Sequence, residues 1–327
     1  MSEKHLTLPQ PRIGLGLAAL GRPGYINLGH GEDMPGERDV ESMRAHCHAM
    51  LDIAWQRGIR YVDAARSYGQ AETFLGGWLA GRPADQRPMV GSKWGYTYTA
   101  DWQVEAEVHE VKEHSREVLD RQWGETLDAL GGSPALYQIH SATLDSGVLD
   151  NAAVLDRLGE LRDAGTAIGL TTSGPHQAET LARAMDVMIN GQPLFDVVQA
   201  TCNLLEPSVA SQLERASASG MAVILKEAVA NGRLTARNDR PEDVEAMRVL
   251  DRVAVTHGVD RDAIAIAALL ANPWVDMVLS GAGTEGQLVS NLQSLAVELS
   301  ADERATLARL AEPADQYWQA RSELAWN

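Results

Sequence analysis

Short apolar runs alternate with longer stretches of helical spacing along the whole chain. Ile13–Leu17 (IGLGL) predicts a strand, and Asp39–Gln56 predicts a helix, with Met43, Met50, Ile53 and Ala54 at helical spacing. The same alternation gives strands at Ile59–Ala64, Pro88–Lys93, Ala135–His140, Thr166–Thr172, Phe195–Ala200, Met221–Lys226 and Met277–Gly281. Between them the spacing predicts helices over Ala71–Ala80, Val104–Leu130, Asn151–Asp163, His176–Met188 and Ser208–Ser219. Glu242–His257, Arg261–Ala271 and Thr284–Leu295 are three more. Glycines at Gly131–Gly132, Gly165 and Gly220 follow helix ends, where the left-handed conformation is needed.

Eight strand-then-helix units predict a parallel sheet, and several strands are near-continuous apolar runs, as when both faces are buried. Eight units in one chain fit a closed (β/α)8 TIM barrel, a single domain over residues 1–327. An open dinucleotide-binding sheet needs a phosphate loop, yet no GxGxxG follows the first strand and no GxxxxGK[ST] occurs. The one loose stretch is Gly21–Arg38, with five glycines and two prolines, read as a long loop that could form a lid.

The chain has 327 residues and a formal net charge of -17, which disfavours nucleic acid and anionic membrane as partners. That charge leaves room for a local positive pocket. No apolar run approaches the length of a transmembrane helix, and the start MSEKHLTLPQPR lacks the apolar core of a secretory leader, so a cytoplasmic location is expected. The only cysteines are Cys47 and Cys202, far apart, which argues against a disulfide framework or a zinc site and fits a reducing compartment. His46 and His48 flank Cys47, but on a helix that spacing puts the two imidazoles on different faces, so no metal site is expected.

In such barrels the active site lies at the C-terminal ends of the strands. The second strand ends in Asp63, with Tyr68 five residues later; the third ends in Lys93 and the fourth in His140. These four types make chemical sense together. A phenol with a pKa of about 10 is a poor acid or base at neutral pH, and a neighbouring ammonium favours its ionised form. A carboxylate holds the ammonium, and an imidazole can orient a carbonyl oxygen. With no metal cluster or obvious nucleophile, hydride transfer from a bound nicotinamide is the natural use.

These motifs resemble the aldo-keto reductase family over nearly the whole chain. Gly58–Leu79 (GIRYVDAARSYGQAETFLGGWL) is similar to that family's signature around its catalytic Asp and Tyr, GSK at Lys93 to its lysine strand, and YQIH at His140 to its histidine strand. Val197–Pro207 is similar to the sixth-strand segment, and Ser280–Leu292 to the adenosine-phosphate segment. The resemblance implies that Tyr68 donates a proton to the substrate carbonyl, Lys93 lowers the pKa of Tyr68, Asp63 pairs with Lys93 and His140 orients the carbonyl. It further implies that Gln199 bonds the nicotinamide carboxamide and that Thr171, Thr172, Lys226, Gly281, Gly283, Thr284, Gln287 and Asn291 sit at cofactor positions. The substrate expected is a small carbonyl compound or alcohol.

Three departures stand out. Thr171–Thr172 replaces the family's usual Ser-Asn, and Lys226–Glu227 stands where an aromatic and a small residue are common. Gly283 occupies the place of a cation that often grips the 2′-phosphate, and the nearest charge is Glu285. NADP(H) is the first expectation for the cofactor and NAD(H) the second, since a carboxylate there repels phosphate and suits a ribose hydroxyl. Lys226 and Glu227 read either as a solvated ion pair or as an anion site. Tyr25, Trp94, Tyr96, Tyr98 and Trp102 are candidate pocket aromatics. Two other readings stay open: a nonenzymatic, cofactor-sensing regulatory protein on the same fold, and a barrel lyase with a Schiff-base lysine, Lys93 or Lys226.

Overall fold

The computed structural model describes residues 4–34 and 36–327, so Met1–Glu3 of the opening stretch and Pro35 of the loop Gly21–Arg38 lie outside the described residues. Eight strands close into a barrel: β1 (Ile13–Gly16), β2 (Tyr61–Asp63), β3 (Met89–Trp94), β4 (Leu136–Ala142), β5 (Ala167–Thr172), β6 (Val197–Thr201), β7 (Ala222–Lys226) and β8 (Met277–Ser280). Each strand pairs in parallel with its sequence neighbour, and β8 pairs with β1. This is the expected (β/α)8 architecture.

The barrel is filled from inside by Tyr61, Leu136, Val197, Ala222, Ile224, Met277 and Leu279, with Leu8 packed on the same cluster. Small residues make room for the larger inward ones. A methyl group on Gly91 would lie 2.2 Å from the Tyr61 hydroxyl, and one on Gly14 would lie 2.8 Å from the Tyr61 ring. Tyr61 therefore needs glycine on both flanking strands, and its hydroxyl reaches Asp63 at 3.3 Å.

Helices wrap this core, four of them started by a short polar side chain that caps them. The helices are α1 (Val40–Gln56), α2 (Ala71–Ala80), α3 (Arg116–Leu130), α4 (Ala152–Asp163), α5 (Gln177–Met185), α6 (Ala210–Ala218), α7 (Val244–His257), α8 (Arg261–Leu270) and α9 (Glu285–Gln293). Asp39, Ser115, Asn151 and Thr284 each accept a hydrogen bond from the first turn of α1, α3, α4 and α9.

Two predicted helices are shorter than their pattern. The stretch Val104–Leu130 is helical only from Arg116, because Tyr96–Tyr98 pairs antiparallel with Glu110–Lys112 and Ser115 caps the helix behind that hairpin. The segment His176–Met188 ends at Met185, because Met188–Ile189 turns back on Gln192–Pro193 through Asn190 and Gly191, both at positive φ. Two further helices, α10 (Ala301–Leu307) and α11 (Ala314–Ser322), follow the barrel. Tyr317 of α11 is 1% exposed, and Leu307 packs in the same cluster, so both helices are held by apolar burial. Helix α11 delivers Trp318 and Arg321 to the barrel mouth.

Candidate active site

The C-terminal ends of β2, β3 and β4 bring Asp63, Lys93 and His140 together under the loop residue Tyr68. Lys93 is fully buried and donates from Nζ to Asp63, to the Ala64 carbonyl at 2.9 Å and to the Tyr68 hydroxyl at 3.3 Å. Asp63 is 2% exposed, and its second oxygen accepts from Gln199 Nε2 at 3.0 Å. The Tyr68 ring stands edge-on to His140, with 5.6 Å between centroids. Ser67 Oγ lies 3.4 Å from His140 Nδ1.

Electrostatics set the protonation of this group. Burial first, and the Asp63 charge second, push the Tyr68 phenol well above its usual range, while the Arg22 guanidinium pulls it down. Lys93, expected to lower it, donates to the hydroxyl at 3.3 Å but does not outweigh burial and Asp63, and the phenol stays protonated. Burial and the cations Lys93, Lys226 and Arg22 hold His140 well below the usual imidazole range. The site thus presents a protonated phenol and a neutral imidazole at neutral pH, a hydrogen-bond donor pair suited to a carbonyl oxygen.

Asp63, Tyr68 and His140 line a cavity of about 810 Å³ whose wall also includes Gly281 before α9 and Gln287 and Asn291 on it. That volume lies within the range of small-molecule sites. Gln199, Lys226, Gly281, Gln287 and Asn291 line the cavity. Thr171, Thr172, Gly283 and Thr284 do not. The Thr171 hydroxyl accepts from the Ser141 amide at 2.7 Å, and Thr172 donates to Gln177 at 3.2 Å. Thr284 caps α9, and Gly283 donates to Gln287 while accepting from His46. His48 instead meets the Phe74 carbonyl, so the two histidines face different partners. Glu285 is more than half exposed and points to Arg57.

Lys226 and Glu227 are not a solvated pair. Their side chains are 16% and 8% exposed, and Glu227 is clamped by Arg321 from α11. Burial pulls Lys226 down to about 8, and Arg321 with Lys226 holds Glu227 at about 2, against the opposing effect of burial. Of the two lysines considered for a Schiff base, Lys93 is enclosed and Lys226 opens on the cavity. Ser141 and Glu227 have positive φ at the ends of β4 and β7. Strain of this kind gathers at sites whose surroundings over-determine the backbone.

Other lining residues carry no signature in sequence: Arg22, Glu110, Ser173, Trp318, Arg321 and Trp326. They come from loops, from the hairpin strand Glu110–Lys112 and from α11, which no period announces. Of the candidate aromatics, Tyr25 and Tyr96 line the cavity. Trp94 is buried against His114, and Trp102 donates to the Arg38 carbonyl. The loop Gly21–Arg38 forms one wall through Arg22, Tyr25, Ile26, Asn27 and Leu28. Among the described residues no cluster of His, Cys, Asp or Glu could hold a metal, and no helix is long and apolar enough to cross a membrane.

The depressed Lys226 value is directly measurable, because the chain has only four lysines, at positions 4, 93, 112 and 226. After reductive methylation with ¹³C-formaldehyde, one dimethylamine resonance is expected to titrate near pH 8 and to vanish in Lys226→Met. A Lys226 signal that titrates near pH 10 contradicts the buried, cation-crowded environment described above.

The chain is similar in sequence and in fold to known proteins. Protein tas of Escherichia coli (strain K12) is 27% identical over 329 residues, spanning 84% of this chain and 91% of that protein. D-threo-aldose 1-dehydrogenase of a Pseudomonas species is 27% identical over 290 residues, spanning 80% and 86%. In structure, the chain is similar to the aldo-keto reductase AKR11C1 from Bacillus halodurans in its holo form, with a TM-score of 0.69 at 21% identity over 97% of this chain and 100% of that one. The glycerol dehydrogenase AKR11B4 of Gluconobacter oxydans gives the same TM-score at 21% identity, over 95% and 94%. Residues 12–312 match the profile of the Aldo/keto reductase family, and the chain belongs to that family.

Proposed function

We propose that this chain is a nicotinamide-nucleotide-dependent oxidoreductase that interconverts a small carbonyl compound and its alcohol, with Tyr68 as the proton-transferring group. The observation that carries this reading is the Tyr68 hydroxyl 3.3 Å from the buried, Asp63-paired ammonium of Lys93, with Tyr68 lining a large cavity. A bound reduced nicotinamide supplies the hydride to the carbonyl carbon. Tyr68 gives its proton to the carbonyl oxygen, and Lys93 stabilises the phenolate left behind. Asp63 keeps Lys93 charged and in place. Neutral His140 orients the carbonyl oxygen toward Tyr68. In the reverse direction Tyr68 takes the proton back.

The residues present fit such a nucleotide. A methyl group built on Gly281 or Gly286 meets nothing within 4 Å, so both glycines leave open space along the cavity wall. In the first turn of α9 the Gln287 N–H is taken by the Thr284 cap, which leaves those of Glu285 and Gly286 without an intrahelical partner. Gln199 spends its amide nitrogen on Asp63, and its carbonyl oxygen is left for the carboxamide of the cofactor. Lys226 adds a cation to the wall.

For the choice of nucleotide, we infer a preference for NAD(H), which reverses the order drawn from sequence. The reason is Asp33 rather than Glu285. A Cβ at position 283 would lie 2.9 Å from the Met34 methyl, 3.8 Å from Gln287 Oε1 and 3.9 Å from Asp33 Cβ, so Met34 of the loop Gly21–Arg38 takes the place of the family's phosphate-gripping cation, with Asp33 beside it. Arg237 lines the cavity nearby, but Glu32 and Asp33 hold it, and Gln287 donates to Asp33 at 2.6 Å. A 2′-phosphate there meets like charge, whereas a ribose hydroxyl meets an acceptor.

Two experiments test these statements. Tyr68→Phe is expected to lower kcat for a good aldehyde substrate about 10²- to 10⁴-fold while leaving nucleotide affinity almost unchanged. Equal turnover by the variant removes Tyr68 from the chemistry. By fluorescence titration the wild type is expected to bind NADH more tightly than NADPH. Asp33→Asn should move that ratio about tenfold toward NADPH, by removing a like charge and releasing Arg237. A wild type that prefers NADPH, or a ratio unmoved in the variant, contradicts the assignment to Asp33.

A further inference from the structure

Arg22 carries hydrogen-bonding capacity that the fold does not use. Its side chain is 4% exposed, and Nη1 donates to the Ser67 carbonyl and to Glu110, each at 3.1 Å. Nε is buried without a partner, and no described group accepts from Nη2. Arg233 shows what a satisfied arginine looks like in the same molecule. It is equally buried, yet it donates from Nε and Nη2 to Asp243 and from Nη1 and Nη2 to Glu312, so both edges of its guanidinium are filled. Arg22 is held instead by the faces of Tyr25, Tyr68 and Trp326, with ring centroids 4.7 to 5.4 Å away. Aromatic faces attract the charge but give Nε–H no lone pair.

Leaving a buried guanidinium N–H unpaired is costly, and the side chain that carries this one lines the cavity beside the phenol. Arg22, Lys226 and Arg321 line the cavity together with Glu110 and Glu227. The planar Nε/Nη2 edge of an arginine matches the two oxygens of a carboxylate. Nη2, for which no described group is an acceptor, and Nε, which has no partner, form that edge in Arg22.

We propose that Arg22 anchors a carboxylate of the substrate, so that the compound reacting at Tyr68 is an oxo acid or the corresponding hydroxy acid. This names the substrate class of the site and rests on the oxidoreductase reading. The carboxylate takes no part in the electron transfer; it fixes the distance and orientation of the carbonyl relative to Tyr68.

The test compares 4-carboxybenzaldehyde with 4-carbamoylbenzaldehyde, which has nearly the same shape without the charge. The wild type is expected to favour the carboxylate in kcat/KM by about tenfold to a hundredfold. Arg22→Gln should collapse that ratio toward one, and Arg22→Lys should keep part of it. A wild-type ratio near one, a ratio unchanged in Arg22→Gln, or faster turnover of neutral glyceraldehyde than of the carboxylate overturns the proposal. If neither aldehyde reacts, the oxidoreductase reading fails, and binding alone decides the role of Arg22. Benzoate and benzamide are then titrated against tryptophan fluorescence, for which Trp326 lies next to the guanidinium. Benzoate binding that is lost in Arg22→Gln sustains the carboxylate site, and benzamide binding equally well overturns it.

Discussion

The buried ion pair of Lys93 and Asp63 is the constraint on which the rest of the site depends. Taking two charges out of water costs several kcal/mol per ion unless geometry and further hydrogen bonds repay it. The barrel provides those bonds from four strands. Lys93 on β3 reaches Asp63 and the Ala64 carbonyl at the end of β2. Asp63 in turn accepts from Gln199 on β6 and Tyr61 on β2, with Gln138 on β4 at 3.5 Å. Gly91 is required because any side chain there would strike the Tyr61 hydroxyl. In this network the two charged groups are satisfied, while Gln138 Oε1 is buried without a partner.

That pair helps to set the state of its neighbours. Burial first, and the Asp63 carboxylate second, outweigh Lys93 and keep Tyr68 protonated. Burial, with the cations Lys93, Lys226 and Arg22, keeps His140 neutral. A second layer of paired charges surrounds the cavity, with Glu227 bound to Arg321 and Arg22 bound to Glu110. These pairs come from loops, from the hairpin strand Glu110–Lys112 and from α11, which close over the barrel mouth. The fold thus separates a rigid chemical end, built on strands, from walls built on connections that can vary without disturbing it.

Legibility in the sequence follows the same division. All eight barrel strands were readable as apolar runs, and the polar residues that end β2, β3 and β4 stood out against them. The helix over Val104–Leu130 misled because residues of a hairpin happened to fall at helical spacing. The turn at Asn190–Gly191 and the Ser300/Glu303 capping box were visible signals of the short hairpin and of α10. Arg22, Glu110, Arg321 and Asp33 had no such mark. Each acts through a contact between segments far apart in the chain, as with Asp33 and Gln287, and no local pattern encodes such a contact. Thr171 and Thr172 show the converse: matching positions in sequence, with hydroxyls turned to Ser141 and Gln177 instead of the cavity.

The central claim is that the Asp63–Lys93 pair acts as one unit, and a double-mutant cycle on folding stability tests it most directly. Asp63→Asn and Lys93→Met, measured singly by denaturant unfolding, are each expected to cost about 3–5 kcal/mol, because each leaves one buried charge unpaired. The double variant is expected to cost several kcal/mol less than the sum of the two, since neither charge remains. Losses that simply add would show two independent residues and contradict the account.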